Sequence, residues 1–458
     1  MKTRMGWLWI VVPAALLVPL PVHTGERSDV RGMGMARTHV AVARGLDAVG
    51  INPALLAFPD RGTVTVSILP AGFHVGSELF DYGLYTEYFT GVESDGGRAP
   101  RFLDDKDKQR ILAAFHDEQP ETRVDLDVRM FGASFHPRGL GTFALTVSEQ
   151  MTGVAEISRG YAAFLLNGNT PGSDYRLEGT KAAGAWTREY ALSYGGAIPG
   201  VRFLKSLAAG GTMKLVHGFG YYEIQRFDTR LTTAENGVLT GSVDFLSRSG
   251  GSLPFESGYA LFPTPAGKGV GVDLGLAGEI TEQLSFGVGV TDIGTMRWSR
   301  GLLESYADTS MVVDDPLLQS QRDAVEQVVK GRKRDGGGFS TSLPTTLRLG
   351  LSLDLGNLLG GVGEGLLVAA DYHQGVASGV RSTKTPRGSL GVEFRPVRWL
   401  PLRTGVSVGG TDAVNLAMGF GVELTHFDFA VASENVTWLV QPGSFSYGSV
   451  AVGTRLRF

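Results

Sequence analysis

Residues 124–130 read Val-Asp-Leu-Asp-Val-Arg-Met, and this stretch decides the fold class. Apolar side chains at every second position alternate with charged ones, which is the period of a β-strand with one apolar and one polar face. The same period recurs at 347–353, 390–394, 416–422 and 450–458. The sequence therefore predicts an all-β protein in which the apolar face of each strand packs against an apolar environment.

The lengths of the connections indicate which kind of β protein this is. Short links alternate with long ones along the chain, and only the link at 410–413 breaks the rule. Membrane β-barrels have an even number of antiparallel strands, with short periplasmic turns and longer outer loops. We therefore expect a transmembrane antiparallel β-barrel of about 14 strands, near 62–70, 124–136, 140–148, 186–198, 206–221, 269–279, 283–292, 345–355, 364–373, 388–395, 401–409, 414–423, 426–434 and 446–458.

Three segments of the long links have structure of their own. Residues 237–246 alternate like a strand, but counting them would give an odd number of strands, so we assign them to an outer-loop hairpin. Residues 104–115 and 316–329 place apolar side chains on one helical face, so these outer loops are predicted to be partly helical.

Composition excludes several function classes. The 458 residues contain no cysteine, which excludes a disulfide scaffold, a cysteine-ligated metal and a thiol nucleophile. Lys and Arg number 42 against 46 Asp and Glu, so there is no excess of basic residues and nucleic acid is not expected as a partner. The chain has 65 glycines, and their share of the sequence is about twice the roughly 7% found in an average protein. We expect many of them on the inward faces of the strands.

The first residues form an export signal. Lys2 and Arg4 precede an apolar run from 7 to 22, and the chain becomes polar at His23. This is the order of regions in a secretory signal peptide, and the run of about 16 residues, broken by prolines, is short for a membrane anchor. We expect residues 1–25 to be a cleaved signal peptide and the mature protein to be integral to the outer membrane.

Residues 26–60 precede the predicted barrel of residues 61–458. A barrel of this size has a lumen too wide for its own side chains to fill, so we expect 26–60 to form a hatch, or plug, inside it; the alternative is an exposed periplasmic tail. Charges on the inward strand faces could hold such a plug through ion pairs with Arg31, Arg37, Arg44 and Asp47, or could simply be solvated. These predicted lumen charges are Arg129, Lys214, Asp273, Arg348, Asp354, Asp371, Glu393, Arg403, Asp428 and Arg455.

Enzymatic signatures are weak. Residues 405–409 match G-x-S-x-G, but they lie within an alternating strand, whereas a nucleophile elbow needs a strand, a turn and a helix. The eight histidines include no pair spaced four residues apart. We therefore predict no catalytic residues, no metal site and no cofactor.

Several motifs resemble one family of proteins. The N-terminal segment carries Gly32, Gly34 and Asn52-Pro53-Ala54. Further motifs are Asp107-Lys108-Gln109 before Ile111-Leu112, Leu192-Ser193-Tyr194, Lys214 with His217-Gly218 and Tyr221, and Asp292-Ile293-Gly294 before Trp298. Across nearly all of the mature sequence, the chain resembles a family of uncharacterised outer-membrane proteins within the FadL-type and PorV-type barrel superfamily.

The resemblance implies a fourteen-strand barrel with an N-terminal hatch that includes Gly32, Gly34, Asn52, Pro53 and Ala54. It also implies two classes of function. A FadL-like channel would pass hydrophobic, fatty-acid-like small molecules, whereas a PorV-like barrel would be a scaffold or accessory in protein secretion or surface assembly.

The expected partners follow from these two classes. Outer-membrane lipid surrounds the barrel, and we expect the barrel-assembly machinery to recognise the last strand, which ends at Phe458. A channel would bind a hydrophobic ligand through apolar outer-loop residues, whereas a scaffold would bind a secretion-system protein. The candidate ligand-binding residues are Phe80, Tyr82, Phe89, Phe102, Ile111 and Phe115.

Overall fold

The fourteen expected strands are present, and the last pairs with the first to close a barrel. The structure, a computed structural model, describes residues 29–58, 62–67, 69–77, 82–94, 97–99, 101–115, 120–254, 258–315, 318–356, 365–376, 384–410, 414–437 and 446–458. The predicted signal peptide and Phe80 lie outside the described residues.

All neighbouring barrel strands are antiparallel, and each pairs with the strands before and after it in sequence. The strands are β1 (Val64–Ser67 and Ala71–Ser77), β2 (Glu121–Phe135), β3 (Thr142–Glu156), β4 (Lys181–Ala197), β5 (Ser206–Thr233), β6 (Gly267–Glu279), β7 (Leu284–Trp298), β8 (Thr346–Asp354), β9 (Gly365–Gly375), β10 (Arg387–Val397), β11 (Leu400–Gly409), β12 (Val414–Glu423), β13 (Phe427–Ser433) and β14 (Tyr447–Arg457).

The first strand is interrupted in the middle. Leu69 has φ +53°, and Pro70 has no N–H to donate to a neighbouring strand. Both halves nevertheless pair with β14 on one side and β2 on the other, so the barrel remains closed through the break.

Several strands are longer at their outer ends than the alternation predicts. β3 continues to Glu156, β4 begins at Lys181 and β5 runs to Thr233. Outer loops cover these ends, so that Trp186, for example, is buried. Since both faces are then covered, the apolar–polar alternation that marks a lipid-facing strand fades.

The predicted outer hairpin at 237–246 belongs to a sheet beyond the barrel rim. Strand Leu239–Gly251 pairs with the outer part of β5 and with strand Leu302–Val313. The sheet is completed by strands Asp174–Arg176 and Arg332–Asp335, while Phe339–Ser342 extends the pairing of β7. The long links after β5 and β7 therefore contain strands.

Five α-helices occur among the described residues. α3 (Asp105–Ala113) and α5 (Gln319–Lys330) confirm the two predicted helical loops, and Asp104 begins α3 with a capping box. The sequence did not predict α1 (Val30–Gly34), α2 (Tyr82–Tyr88) and α4 (Arg159–Asn167). None of these helices is long and apolar enough to cross a membrane.

The two faces of the barrel strands differ as the alternation predicts. In β8, Leu349, Leu351 and Leu353 are exposed on the outside, whereas Arg348 and Ser352 are buried inside. The same pattern in the other strands gives a belt of exposed apolar side chains around the barrel. Such a belt is suited to contact with the hydrocarbon core of a membrane.

An arginine placed on this belt should destabilise the protein according to its depth in the bilayer. We expect Leu349→Arg, mid-way along β8, to cost about 2–4 kcal/mol, and Val397→Arg, at the end of β10, about 0–1 kcal/mol. The two sites are matched, because Leu349 and Val397 are 40% and 39% exposed. The free energy of unfolding of each variant can be measured in phospholipid vesicles. An equal loss of stability in the two variants would show that the belt does not face lipid.

Candidate functional site: the plugged lumen

Residues 29–58 lie inside the barrel and fill its lumen; we call this segment the plug. Its apolar side chains are almost completely buried, with Met35, Leu46 and Leu56 at 0% exposure. It consists of α1 and two short 3-10 helices, Gly45–Ala48 and Pro53–Ala57. Its second half packs against small side chains of the wall, the alanines Ala144, Ala191 and Ala277.

The wall carries glycine where the plug backbone comes closest. A Cβ atom at Gly210 would lie 2.3 Å from the carbonyl carbon of Pro53, one at Gly287 2.0 Å from the Val40 oxygen, and one at Gly405 2.5 Å from the Met35 carbonyl carbon. These separations are shorter than any real van der Waals contact. Other wall glycines close to the plug are Gly195, Gly275, Gly289, Gly350, Gly391 and Gly419. Part of the glycine excess is therefore explained by the fit of the plug.

The tripeptide Asn52-Pro53-Ala54 fixes one turn of the plug to the wall. The Asn52 Oδ1 atom accepts a hydrogen bond from the Ala54 N–H, so Asn52 caps the second 3-10 helix, and Pro53 occupies its first position. The Asn52 Nδ2 atom donates to the Val40 oxygen within the plug and to the Leu276 oxygen of β6. One side chain thus joins two plug segments and the barrel.

Gly32 and Gly34 allow close packing around α1. A Cβ at Gly32 would lie 2.1 Å from Nδ1 of His39, so any side chain there would displace the histidine. Gly34 lies against the wall, where its Cβ would be 3.2 Å from the Cα of Gly419. Asp29 accepts hydrogen bonds from the N–H groups of Arg31 and Gly32 and so caps α1.

Ion pairs connect the plug to the wall, and three of them join residues that the structure describes. Arg31 pairs with Glu393 of β10 at 3.0 Å, Arg37 with Glu434 at 2.7 Å, and Asp47 with Arg455 of β14 at 2.5 Å. The plug residue of each pair is one of the expected partners, and the other residue is a charged side chain on the inner side of the wall. Arg44, the fourth candidate, donates hydrogen bonds to the Ala41 and Ala43 oxygens within the plug.

Two predicted lumen charges bind the plug backbone. The Asp371 carboxylate accepts hydrogen bonds from the N–H groups of His39, at 2.6 Å, and Val40, at 2.8 Å. Arg129 donates to the Leu46 oxygen at 3.0 Å. The wall thereby supplies hydrogen-bond partners to backbone groups of the plug that have none within the plug.

The other predicted lumen charges lie elsewhere in the barrel. Arg403 joins Glu393, Arg348 donates to Thr291, and Asp428 pairs with Arg457. Asp354 is the exception, because it is exposed at the end of β8, where its carboxylate accepts a hydrogen bond from the Gly356 N–H. Asp354 therefore lies at the exposed end of β8 and is not one of the buried lumen charges.

A buried cluster of charges lies beside the plug, toward the outer side of the lumen. The Lys214 Nζ atom is 2.7 Å from Asp273, 2.7 Å from Asp292 and 3.6 Å from Glu189. Lys214 and Asp273 have no exposed side-chain surface. Gly275, two residues along β6 from Asp273, contacts Asn52, so the cluster is adjacent to the plug.

Asp292 joins this cluster because of a β-bulge. The register of β6 and β7 shifts between Val272 and Leu274, so Thr291 and Asp292 together oppose Asp273. Asp292 has φ +58°, and its N–H donates to Asp273. Strict alternation would turn Asp292 outward, and only the motif Asp292-Ile293-Gly294 drew attention to this position.

Trp298 closes the lumen above the charged cluster. Its ring is fully buried and lies 5.2 Å from that of Tyr221 and 6.2 Å from that of Phe339. A Cβ at Gly218 would be 2.4 Å from the indole, so the glycine of the His217-Gly218 motif makes room for the tryptophan.

The candidate ligand-binding residues of the outer loops divide into two sets. Ile111 and Phe115 are buried, with Phe115 packed against Ala162 of α4, so they hold the outer helices together and are not open to a ligand. Tyr82, Phe89 and Phe102 are exposed, Phe102 at 93%.

The motif residue Asp107 has a structural role in the outer loops. It completes the capping box of α3 with Asp104 and pairs with Arg101 at 2.9 Å. The hydrogen bond from Arg101 lowers the pKa of the Asp107 carboxyl below its usual value. The carboxylate therefore remains charged and keeps the start of α3 in place.

A polar cavity and an apolar groove flank α1. The cavity, of about 200 Å³, lies inside the barrel and is lined mainly by charged residues, among them Arg44, Asp47, Arg129, Asp428 and Arg455. The groove, of about 710 Å³, lies on the lipid side of β10–β14 and is lined by Phe394, Leu402, Met418, Phe420, Val431 and Val450. Its floor includes Gly419, which touches Gly34 from the other side of the wall.

Loss of Glu393 should loosen the plug. Glu393→Ala removes the acidic partner of Arg31 and leaves a partly buried guanidinium without its ion pair. We expect a thiol introduced by Thr38→Cys to react with a maleimide at least about tenfold faster in this variant, since 1.4 kcal/mol of lost plug stability is a tenfold change in opening. Glu282→Ala, at the exposed turn between β6 and β7, is the control. Equal labelling rates in the two variants would contradict the anchoring role.

Comparison with solved structures finds other barrels of this fold. A mutant of the monoaromatic hydrocarbon channel TodX superposes with a TM-score of 0.50 at 12% identity, over 94% of this chain and 98% of that one. A FadL homologue from Pseudomonas aeruginosa gives 0.47 at 11% identity, over 96% and 99%. The toluene transporter TbuX from Ralstonia pickettii gives 0.46 at 11% identity, over 96% and 100%. At these identities the likeness concerns the fold alone.

Comparison with known sequences gives the family. No curated protein matches the chain. A family model matches residues 53–434, which include the Asn52-Pro53-Ala54 motif from Pro53 onward and all barrel strands from β1 to β13. This confirms the expected membership in a family without an assigned activity. The chain belongs to the family of unknown function DUF5723.

Proposed function

We propose that this protein is an outer-membrane channel for small hydrophobic molecules, and that the plug controls passage through it. Export through the signal peptide at residues 1–25 and assembly through the last strand, ending at Phe458, would bring it to that membrane. The observation that carries the proposal is the position of α1, which lies between the polar cavity and the apolar groove.

The groove supports a hydrophobic ligand. Its lining is almost entirely apolar, and it opens toward the lipid side of the wall. At its floor, Gly419 and Gly34 bring the backbones of wall and plug together with no side chain between them. A displacement of α1 would therefore change the inner support of the wall at the place where apolar molecules collect outside it.

The attachment of the plug supports a movable gate. Ion pairs and hydrogen bonds hold it at separate points on β6, β9, β10 and β14. Between these points, the wall presents glycine and alanine, so large side chains of plug and wall do not interdigitate there. A contact of this kind can slide with less rearrangement than a close-packed core of large side chains.

The exposed outer aromatic residues support capture of the ligand from outside. Tyr85 and Phe89 of the outer loops stack at 6.4 Å and are 51% and 46% exposed. Phe102 and Tyr82 add to this apolar surface. Exposed aromatic clusters of this kind are typical of binding surfaces.

A disulfide between plug and wall tests the proposal, because the chain has no native cysteine. The Thr38 Oγ1 and Ser389 Oγ atoms are 3.1 Å apart, so Thr38→Cys with Ser389→Cys places two sulfur atoms within reach of a bond. We expect oxidation to abolish uptake of the apolar dye 1-N-phenylnaphthylamine by cells that express the protein, and reduction to restore it.

A second cysteine pair provides the matched control. Ser193 and Thr212 face each other across β4 and β5 at 2.9 Å, so a disulfide there crosslinks the wall without holding the plug. Uptake through the Ser193→Cys, Thr212→Cys variant should be insensitive to oxidation. Uptake that is the same with the plug locked and unlocked would overturn the proposal of a plug-controlled channel.

The second candidate function is that of a scaffold in secretion or surface assembly. The outer sheet formed by β5, Leu239–Gly251 and Leu302–Val313 favours it, because that sheet stands beyond the rim and exposes apolar residues such as Val312, which is 62% exposed. A protein partner crosslinked at Val312, together with dye uptake unaffected by the protein, would favour the scaffold.

A further inference from the structure

A row of basic residues crosses the outer face of the barrel wall just above the apolar belt. The register places His217 of β5 opposite Lys268 of β6, and Lys268 opposite Arg297 of β7. Lys268 lies on the same outward face of β6 as the exposed Val270, Val272 and Leu274, because it is separated from each of them by an even number of residues. Arg297 likewise lies on the same outward face of β7 as the exposed Ile293.

The height of this row corresponds to a membrane interface. Lys268 precedes Val270, which is 62% exposed, by two residues, a distance of about 7 Å along the strand. On β5, Leu215, 60% exposed, is likewise two residues below His217. The basic groups thus stand where the hydrocarbon core of the outer leaflet gives way to lipid head groups.

The charges of the row are not balanced. The row continues through Arg188 of β4, opposite His217, to Glu149 of β3, opposite Arg188. Arg188 and Glu149 pair with each other, and both are buried. The side chains of Lys268 and Arg297 make no hydrogen bond or ion pair with any residue that the structure describes, and both residues are exposed. Like charges that face each other directly across two strands repel, so an anion bound between them would stabilise this pair.

A loop beside the row presents apolar side chains. Arg188 donates to the Leu261 oxygen at 2.8 Å, which holds the described loop residues 258–265 against the wall. Tyr259, Leu261 and Phe262 are 55%, 49% and 87% exposed. Exposed aromatic and apolar groups next to unpaired cations suit an amphipathic molecule that has both an anionic and an apolar part.

We propose that Lys268 and Arg297 bind the phosphate of an outer-leaflet lipid whose acyl chains lie along Leu215 and Val270. A free phosphate ion would gain little at such an exposed site, because the interaction of exposed charges is weak in water. A lipid already held by its acyl chains presents its phosphate at a high effective concentration. The site adds a lipid partner to the proposed outer-membrane protein and rests on its membrane location, but not on movement of the plug.

Native mass spectrometry of the protein in mild detergent tests the site. The probes are lipid A, which carries two phosphates, and the same lipid A after enzymatic dephosphorylation. We expect the wild type to retain phosphorylated lipid A in preference to the dephosphorylated form. We expect the double variant Lys268→Gln, Arg297→Gln to bind phosphorylated lipid A at least about tenfold more weakly, since each basic residue near an anionic lipid surface contributes several-fold.

The control removes two positive charges at the opposite rim. Arg138 and Arg202 are exposed in the periplasmic turns, so Arg138→Gln with Arg202→Gln should leave lipid A binding unchanged. The heat-dependent gel shift of the barrel verifies that all variants fold.

Three results would overturn the proposal. The first is equal retention of the two forms of lipid A, and the second is unchanged binding in the Lys268, Arg297 variant. The third is displacement of lipid A by millimolar inorganic phosphate, which would indicate a site for free phosphate. None of these results depends on uptake of a hydrophobic dye, so this site and the proposed channel can fail separately.

Discussion

The close approach of the plug backbone to wall glycines is the constraint on which the rest of the structure depends. The lumen of a fourteen-strand barrel is too wide to be filled by its own side chains, and here a separate segment fills it. That segment fits only because Gly210, Gly287 and Gly405 leave room for its backbone. The glycines must face inward at the height of the plug. A slip of one residue in β7 or β11 would replace Gly287 or Gly405 with a side chain of the outer face, such as Val288 or Val406.

Polar contacts then fix the position of the plug within this space. The anchors Glu393, Glu434, Arg455 and Asp371 come from different parts of the wall, so the segment is held on several sides. Each of these contacts joins a buried or partly buried charge to a partner of opposite charge or to backbone N–H groups, which compensates for the loss of water. The Lys214 cluster continues this polar interior toward the outer side, where Trp298 and Tyr221 close it.

The sequence allowed the barrel to be predicted because its alternation is a local property of each strand. The parity of the links also placed the hairpin at 237–246 outside the barrel, where strand Leu239–Gly251 lies. Other features depend on contacts that no local pattern records. Asp292 turns inward through a bulge, so alternation within strands did not identify it. Glu434 lies within the predicted strand 426–434 on the same face as Asp428, but it was not among the predicted lumen charges. Ile111 and Phe115 are apolar loop residues like Phe102, and only the packing of α3 on α4 distinguishes them.

These contacts hold residues 29–58 inside the closed barrel. Hydrogen–deuterium exchange of the protein in lipid bilayers, followed peptide by peptide, measures this most directly. The N–H groups of His39 and Val40 bind Asp371, and the surrounding plug is buried, so peptides from 30–57 should be protected as strongly as the barrel strands. Exchange of these peptides as fast as that of the exposed outer loops would contradict the account.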